Sequence, residues 1–264
     1  MRERKRWLRL KNRSSRFHLP KYFIFIYYIT MELIEGDIHE VIKTLPSNKY
    51  DLLYTDPPFN GLTGAKWDKV LNWDDLWDDI WRVLKPNGVV VLHSTQRFTI
   101  QLASSQIKHF KYKYTWKKNI ATNFLCTKYQ PLRLCEDICV FYKKAGIYNP
   151  QMIGDAFHKK RNVKYGGENE YWGVCKTKEN IITDEGGHRG RFPNDLLEFD
   201  IDKAKGHEKN AGTRSTDLMD FILKTYSNEN SEVLDITCYD ARCGLRCMKL
   251  NRHYTGIDLE IKNS

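Results

Sequence analysis

The stretch from Tyr50 to His93 limits the architecture more than any other part of the chain. Tyr50–Thr55 (YDLLYT) is a compact apolar run of strand length. Val89–His93 (VVVLH) is apolar throughout, the pattern of a strand covered on both faces of a parallel sheet. Between them, Asn72–Leu84 repeats at helical period, with Leu76, Ile80, Val83 and Leu84 on one face. Trp73, Trp77 and Trp81 lie alongside at spacing four, which predicts core packing rather than a base-stacking platform. Asp74 and Asp75 suit the helix's first turn, and Lys85-Pro86-Asn87-Gly88 is expected to be a turn. Strand, helix and strand within about forty residues predict a right-handed crossover in an α/β sheet.

The rest of the chain fits this unit unevenly. Glu32–Glu35 predicts a short strand and Ile38–Leu45 a helix stopped by Pro46. Lys111–Trp116 and Asp137–Tyr142 are further strand candidates. Helices are expected at Asp217–Tyr226 and Gly244–Leu250, with strands at Val233–Thr237 and Tyr254–Leu259. Residues 143–210 are rich in Gly, Lys, Asn and His and carry little periodicity. So long a stretch without elements of its own predicts a functional insertion. Four segments follow: an N-terminal extension (1–30), a first half of the core (31–142), the insertion (143–210) and a second half (211–264).

Charge needs the same division. The formal net charge is +10, which invites a polyanion partner. Nine basic residues and one acid stand in residues 1–30, however, so bulk basicity says little about the core. The apolar run Tyr22–Ile29 in that extension has eight residues and no small-residue cleavage site after it. It therefore reads as an extension or a phosphate-gripping arm rather than a secretion signal. No apolar run reaches the roughly 20 residues of a membrane helix. Seven cysteines are odd in number and too sparse for a disulfide framework, which predicts a reducing, intracellular setting. Cys238, Cys243 and Cys247 miss the spacing of zinc sites, and no metal is expected.

The sharpest chemical signal is Asp56-Pro57-Pro58-Phe59, placed where an apolar strand ends. Prolines cannot continue a central strand, so the chain must turn out there. Open α/β sheets bind ligands at those strand ends. A carboxylate, a proline carbonyl and an aromatic ring together can hold a planar ring that bears an amino group.

From Met31 onward the chain resembles the β-class DNA methyltransferases that modify exocyclic amines of adenine or cytosine. The resemblance is carried by MELIEGDIHEVIKTLP, YDLLYTDPPFN, LNWDDLWDDIWRVLKPNGVVVLHSTQRFT, YTWKK, PLRLCEDICVFYKK and HYTGIDLE. It implies a Rossmann-like α/β fold with a mostly parallel sheet and a DNA-recognition insertion. It also implies transfer of a methyl group from S-adenosyl-L-methionine to N6 of adenine, since the Asp-Pro-Pro-Phe form is similar to the adenine enzymes. Asp56 would accept from the target amine with help from the Pro57 carbonyl, Pro58 would stiffen the turn, and Phe59 would stack on a base flipped out of the duplex. Asp258 matches the acid that holds the ribose, Asp37 a residue near the cofactor's adenine, and Asp235 the acid opening the cofactor loop. Arg189 and Arg191, in the insertion, are candidates for DNA phosphates. Duplex DNA is the implied partner, with a cognate restriction endonuclease as a candidate second one. A monomer or homodimer in the cytoplasm is expected.

Two elements depart from the family pattern. The family's loop reads like D-P-F-x-G-S-G-T-T, whereas here it runs Asp235-Ile236-Thr237-Cys238-Tyr239-Asp240-Ala241-Arg242-Cys243, with Tyr239 and Ala241 on the two loop glycines. Glycines there let the backbone approach the cofactor. The family's H-P-T-[QE]-K-P falls on Asn210-Ala211-Gly212-Thr213-Arg214-Ser215. Three outcomes follow: Arg242 replaces backbone donors, catalysis is lost with DNA binding kept, or a partner completes the site. A catalytically impaired DNA-binding relative, and an N4-cytosine, RNA or protein-amide methyltransferase, stand as the alternative readings.

Overall fold

A computed structural model describes residues 29–62, 68–158, 168–169, 173–174, 188–202 and 214–261. Almost all of the N-terminal basic extension, much of the 143–210 insertion and Asn210–Thr213 lie outside the described residues.

The elements run β1 (Met31–Glu35), α1 (Ile38–Thr44), β2 (Tyr50–Thr55), α2 (Trp73–Val83), β3 (Leu84–Ser94), α3 (Gln96–Ser105), β4 (Phe110–Thr122) and β5 (Arg133–Phe141). They continue with β6 (Ile153–His158), β7 (Glu168–Asn169), β8 (Gly173–Val174), β9 (His188–Arg191) and β10 (Leu196–Glu198). The chain closes on α4 (Thr216–Tyr226), β11 (Glu232–Asp235), α5 (Arg242–Lys249) and β12 (His253–Asp258). Eight strands form one sheet in the order β1-β12-β11-β2-β3-β5-β4-β10. All its neighbours pair in parallel except β5, which is antiparallel to both β3 and β4. β6 with β9, and β7 with β8, make two small antiparallel ribbons. The insertion is not wholly separate from the core, because β10 joins the main sheet beside β4.

The central strands are apolar on both faces because both faces are covered. One layer buries Leu53, Val90 and Leu92 under Ile42, Leu76, Trp77, Ile80 and Phe98. The other buries Leu52, Val91 and Val233 under Leu218, Ile222, Leu223 and Cys247. Trp73 and Trp77 are buried, and Trp81 is half-buried against Trp77, so the tryptophan stripe is core, as its spacing predicts.

One reading needs correction, and one helix was not foreseen. Lys85–Gly88 is no free turn: β3 already begins at Leu84, which pairs with Tyr50, and pairing resumes at Leu52 with Val89. Both Leu84 and Val89 are buried, so the polar residues between them bulge out of a continuous strand. The helix α3 escapes periodicity because only Phe98, Thr99 and Leu102 of its ten residues are buried.

Trp77 is 1% exposed and its indole N–H donates to Ser105 Oγ at 3.0 Å, joining α2 to α3. Trp77→Ala should lower unfolding stability by about 3–5 kcal/mol, read from the midpoint of urea unfolding at unchanged slope.

Candidate active site

The carboxyl edge of the parallel strands collects the acids singled out above. Asp37 follows β1, Asp258 ends β12, Asp235 ends β11 and Asp56 follows β2. The registers set them side by side: Glu35 opposite Asp258, Asp235 opposite Gly256, Leu234 opposite Leu53, and Thr55 opposite Leu92 of β3. A parallel sheet with its strand ends aligned does this without any contact among the acids themselves.

The four carboxylates have different surroundings. Asp37 caps α1, accepting from the His39 amide at 2.8 Å. Asp258 accepts from the Tyr239 amide at 2.8 Å and so holds the loop after β11. Asp235 is buried and used up inside the sheet. It accepts from the Thr55 hydroxyl at 2.6 Å, the Tyr254 hydroxyl at 3.0 Å and the Thr237 amide at 3.2 Å, stitching β2, β11 and β12 together. Burial pushes its carboxyl up to about 6, against those three donors.

The Asp56 neighbourhood holds residues that sequence reasoning missed. Arg214 grips Asp56 with two nitrogens, Nε on Oδ2 and Nη2 on Oδ1, and gives Nη1 to Glu136 Oε2. Glu136 in turn accepts from Lys118 Nζ at 2.6 Å. The guanidinium lies 5.9 Å from the Phe59 ring centroid and 5.8 Å from that of Trp116. Phe59 is itself buried and packs on Phe98 at 6.2 Å. Behind them His93, fully buried, meets the Tyr54 hydroxyl through Nε2 at 3.0 Å and the Trp116 ring edge-on.

Burial alone would raise the Glu136 carboxyl, but Arg214 and Lys118 outweigh it and hold it down at about 2. Burial would weaken the charge of Arg214, yet Asp56 and Glu136 raise its pKa. His93 is lowered by burial to about 4 and is neutral at pH 7, so it adds no third cation to the cluster. The result is two anions and two cations in alternation, with Arg214 and Glu136 each shared between two partners.

Signals for these residues were faint but present. Arg214 falls on the lysine of the family's H-P-T-[QE]-K-P, and it immediately precedes Ser215, which caps α4 by accepting from the Leu218 amide. Lys118 and Glu136 lie in the YTWKK and PLRLCEDICVFYKK blocks. No local pattern joins them, because the partners of Arg214 lie 158 and 78 residues away.

In the loop after β11, Tyr239 and Ala241 stand where the family has glycine. Both take left-handed backbone, with φ of 49° and 54°. Left-handed backbone, which glycine adopts without strain, is held here by residues that carry side chains. Asp240 is neutralised where it stands, because Arg242 Nε donates to it at 2.7 Å. Cys238, Cys243 and Cys247 are all buried thiols, and burial pushes Cys238 up to about 12. Among the described residues no cluster of three or more His, Cys, Asp or Glu is arranged to hold a metal ion. Arg189 and Arg191 are exposed on β9, where Arg189 pairs with Phe157 and Arg191 with Ile153 of β6. No helix among the described residues is long and apolar enough to cross a membrane.

Comparison with known proteins places this site in context. The family model described as DNA methylase, for N6 and N4 enzymes, matches residues 50–263, and the chain belongs to that family. No curated protein sequence matches the chain. Solved structures share the fold. The M1.HpyAVI complex with S-adenosylmethionine is 23% identical with a TM-score of 0.55, over 88% of this chain and 94% of that one. The PvuII cytosine-N4-specific DNA methyltransferase is 13% identical with a TM-score of 0.61, over 88% and 84%. A Thermus thermophilus protein complexed with S-adenosyl-L-methionine is 16% identical with a TM-score of 0.54, over 88% of each chain. The mostly parallel α/β sheet is therefore the Rossmann-like methyltransferase fold.

A left-handed alanine costs roughly 1–2 kcal/mol that glycine does not. Ala241→Gly should therefore stabilise the protein by about 1 kcal/mol after the added chain entropy of glycine. Thermal unfolding of the variant beside the parent checks this, and a lower midpoint would contradict the strain.

Proposed function

We propose that the protein is an S-adenosyl-L-methionine-dependent DNA methyltransferase acting on the exocyclic N6 amine of adenine. The observation that carries this reading is the Asp56–Phe59 tetrapeptide at the carboxyl end of β2, with its carboxylate at the sheet edge and an aromatic ring beside it. The family membership supports methylation of DNA at an exocyclic amine, and the Asp-Pro-Pro-Phe form supports adenine as the base.

The residues present suit the nucleoside end of the cofactor. Asp258 and Asp37 stand at adjacent strand ends, where hydroxyl and amino groups of a nucleoside can donate to them. The loop between them and Asp235 keeps a left-handed path, and its one added acid is already paired to Arg242. The cofactor would supply an electrophilic methyl group carried on a sulfonium.

The chain's own residues do the rest. Asp56 and the Pro57 carbonyl accept from the target amine, which draws the nitrogen lone pair out of conjugation with the ring. The amine loses a proton as it is methylated, and Asp56 is the acceptor placed to take it or pass it to water. Phe59, whose ring lies against the Arg214 guanidinium, would offer its face to the base as that guanidinium moves. Arg214 takes one bond on each oxygen of Asp56, so a target amine must share the carboxylate with the guanidinium or displace it. Its separate bond to Glu136 lets it leave Asp56 without losing every partner.

Asp56→Ala should abolish radiolabelled methyl transfer to unmethylated DNA while changing S-adenosyl-L-methionine affinity by less than about twofold, measured by calorimetry. Activity equal to the parent's in that variant would refute the role of Asp56.

A further inference from the structure

The hairpin of β4 and β5 outruns the sheet that carries it. β5 is antiparallel to β3, and their pairing ends at Ser94 with Asp137. β4 and β5 go on pairing to Thr122 with Arg133, four residues farther along β5. At about 3.4 Å per residue the ladder stands roughly 13 Å beyond the last β3 pair, with residues 123–132 farther out still. Because β5 runs against β3, this overhang lies at the carboxyl edge of the parallel strands. Asp56 lies on the same edge, one residue past the pair Thr55 with Leu92.

The tip is built, not loose. Asn123 takes a left-handed turn, Phe124–Cys126 forms a 3-10 turn, and the Cys126 carbonyl accepts from the amides of Tyr129 at 2.9 Å and Gln130 at 3.0 Å. That order leaves its apolar side chains in water. Leu125 is 84% exposed and Tyr129 89%, with Phe124 beside them exposed as well. Exposed apolar side chains gathered on one folded turn mark a contact surface.

Charge says what it contacts. From Phe110 to Cys135 there are six basic residues and no acid. Lys113, Lys117 and Lys118 are paired to acids of other segments, whereas Lys128 and Arg133, nearest the tip, make no ion pair among the described residues. An apolar point flanked by unpaired cations suits a stacked polyanion. The stem is also tied to the pocket, since Trp116, Lys118 and Glu136 belong to it and Glu136 holds Arg214.

We propose that the tip of the β4–β5 hairpin is a wedge that enters duplex DNA at the site of base extrusion. Phe124, Leu125 and Tyr129 fill the gap left in the stack, and Lys128 and Arg133 take the flanking phosphates. The inference rests on the DNA-methylating reading above, and its test does not need catalysis. The full chain is titrated into a fluorescein-labelled duplex and into the same duplex carrying one central abasic site. The parent should bind the abasic duplex at least fivefold tighter. The triple variant Phe124→Ser, Leu125→Ser, Tyr129→Ser should bind both alike, with an unchanged circular dichroism spectrum. Leu125→Ser alone should lose part of the preference if the triple variant fails to fold. Equal binding of the two duplexes by the parent, or a preference untouched in the variants, would overturn the proposal. So would a triple variant that only dissociates a dimer of the parent. A parent that prefers the abasic duplex yet transfers no methyl group would keep the wedge and sink the enzymatic reading.

Discussion

Four alternating charges, Asp56, Arg214, Glu136 and Lys118, join the parts of this fold that must meet at the site. Asp56 comes from the end of β2, Arg214 from the residue before the cap of α4, Glu136 from β5 and Lys118 from β4. The Lys118 side chain is 2% exposed. Removing a charge of that kind from water costs several kcal/mol unless a partner meets it. Each element therefore fits only when the others are in place. The chain of charges is less a source of stability than a condition on geometry. It also gives Asp56 a guanidinium partner that the target amine must join or displace at the carboxylate.

The cofactor side of the sheet works by a different rule. Asp235 spends its carboxylate on Thr55, Thr237 and Tyr254, so it orders three strands rather than facing outward. Asp258 and Asp37 remain at the edge. The rewritten loop keeps left-handed backbone at Tyr239 and Ala241, which means that the path of the chain is imposed by its surroundings. The Asp258 carboxylate on the Tyr239 amide and the Cys238 amide on the Ile257 carbonyl tie the loop to β12. Side chains here carry a strain that glycine would avoid, and the sheet on either side maintains it.

The parallel core was legible from sequence because burial on both faces writes uninterrupted apolar runs such as Tyr50–Thr55 and Val89–His93. The tryptophan stripe was legible for the same reason, since helical spacing fixes which side faces the sheet. Lys85–Gly88 misled because Pro, Asn and Gly signal a turn, while the buried Leu84 before them holds the strand in register. α3 was missed because it buries only one narrow side. The Asp56–Phe59 tetrapeptide was visible as a motif, but its electrostatic setting was not. Arg214, Glu136 and Lys118 meet only after the sheet has formed, and no periodicity records a contact made across 158 residues. The exposed tip at Phe124–Tyr129 was likewise hidden, because apolar residues in a sequence do not announce which side of a hairpin they occupy.

Base identity and chemistry meet in one assay. Unmethylated DNA is incubated with the full chain and S-adenosyl-L-methionine bearing a labelled methyl group, then digested to nucleosides and separated by chromatography. The account predicts label in N6-methyladenosine of the deoxy series and in no other nucleoside. Label in N4-methylcytosine, or none above a protein-free blank, would contradict it.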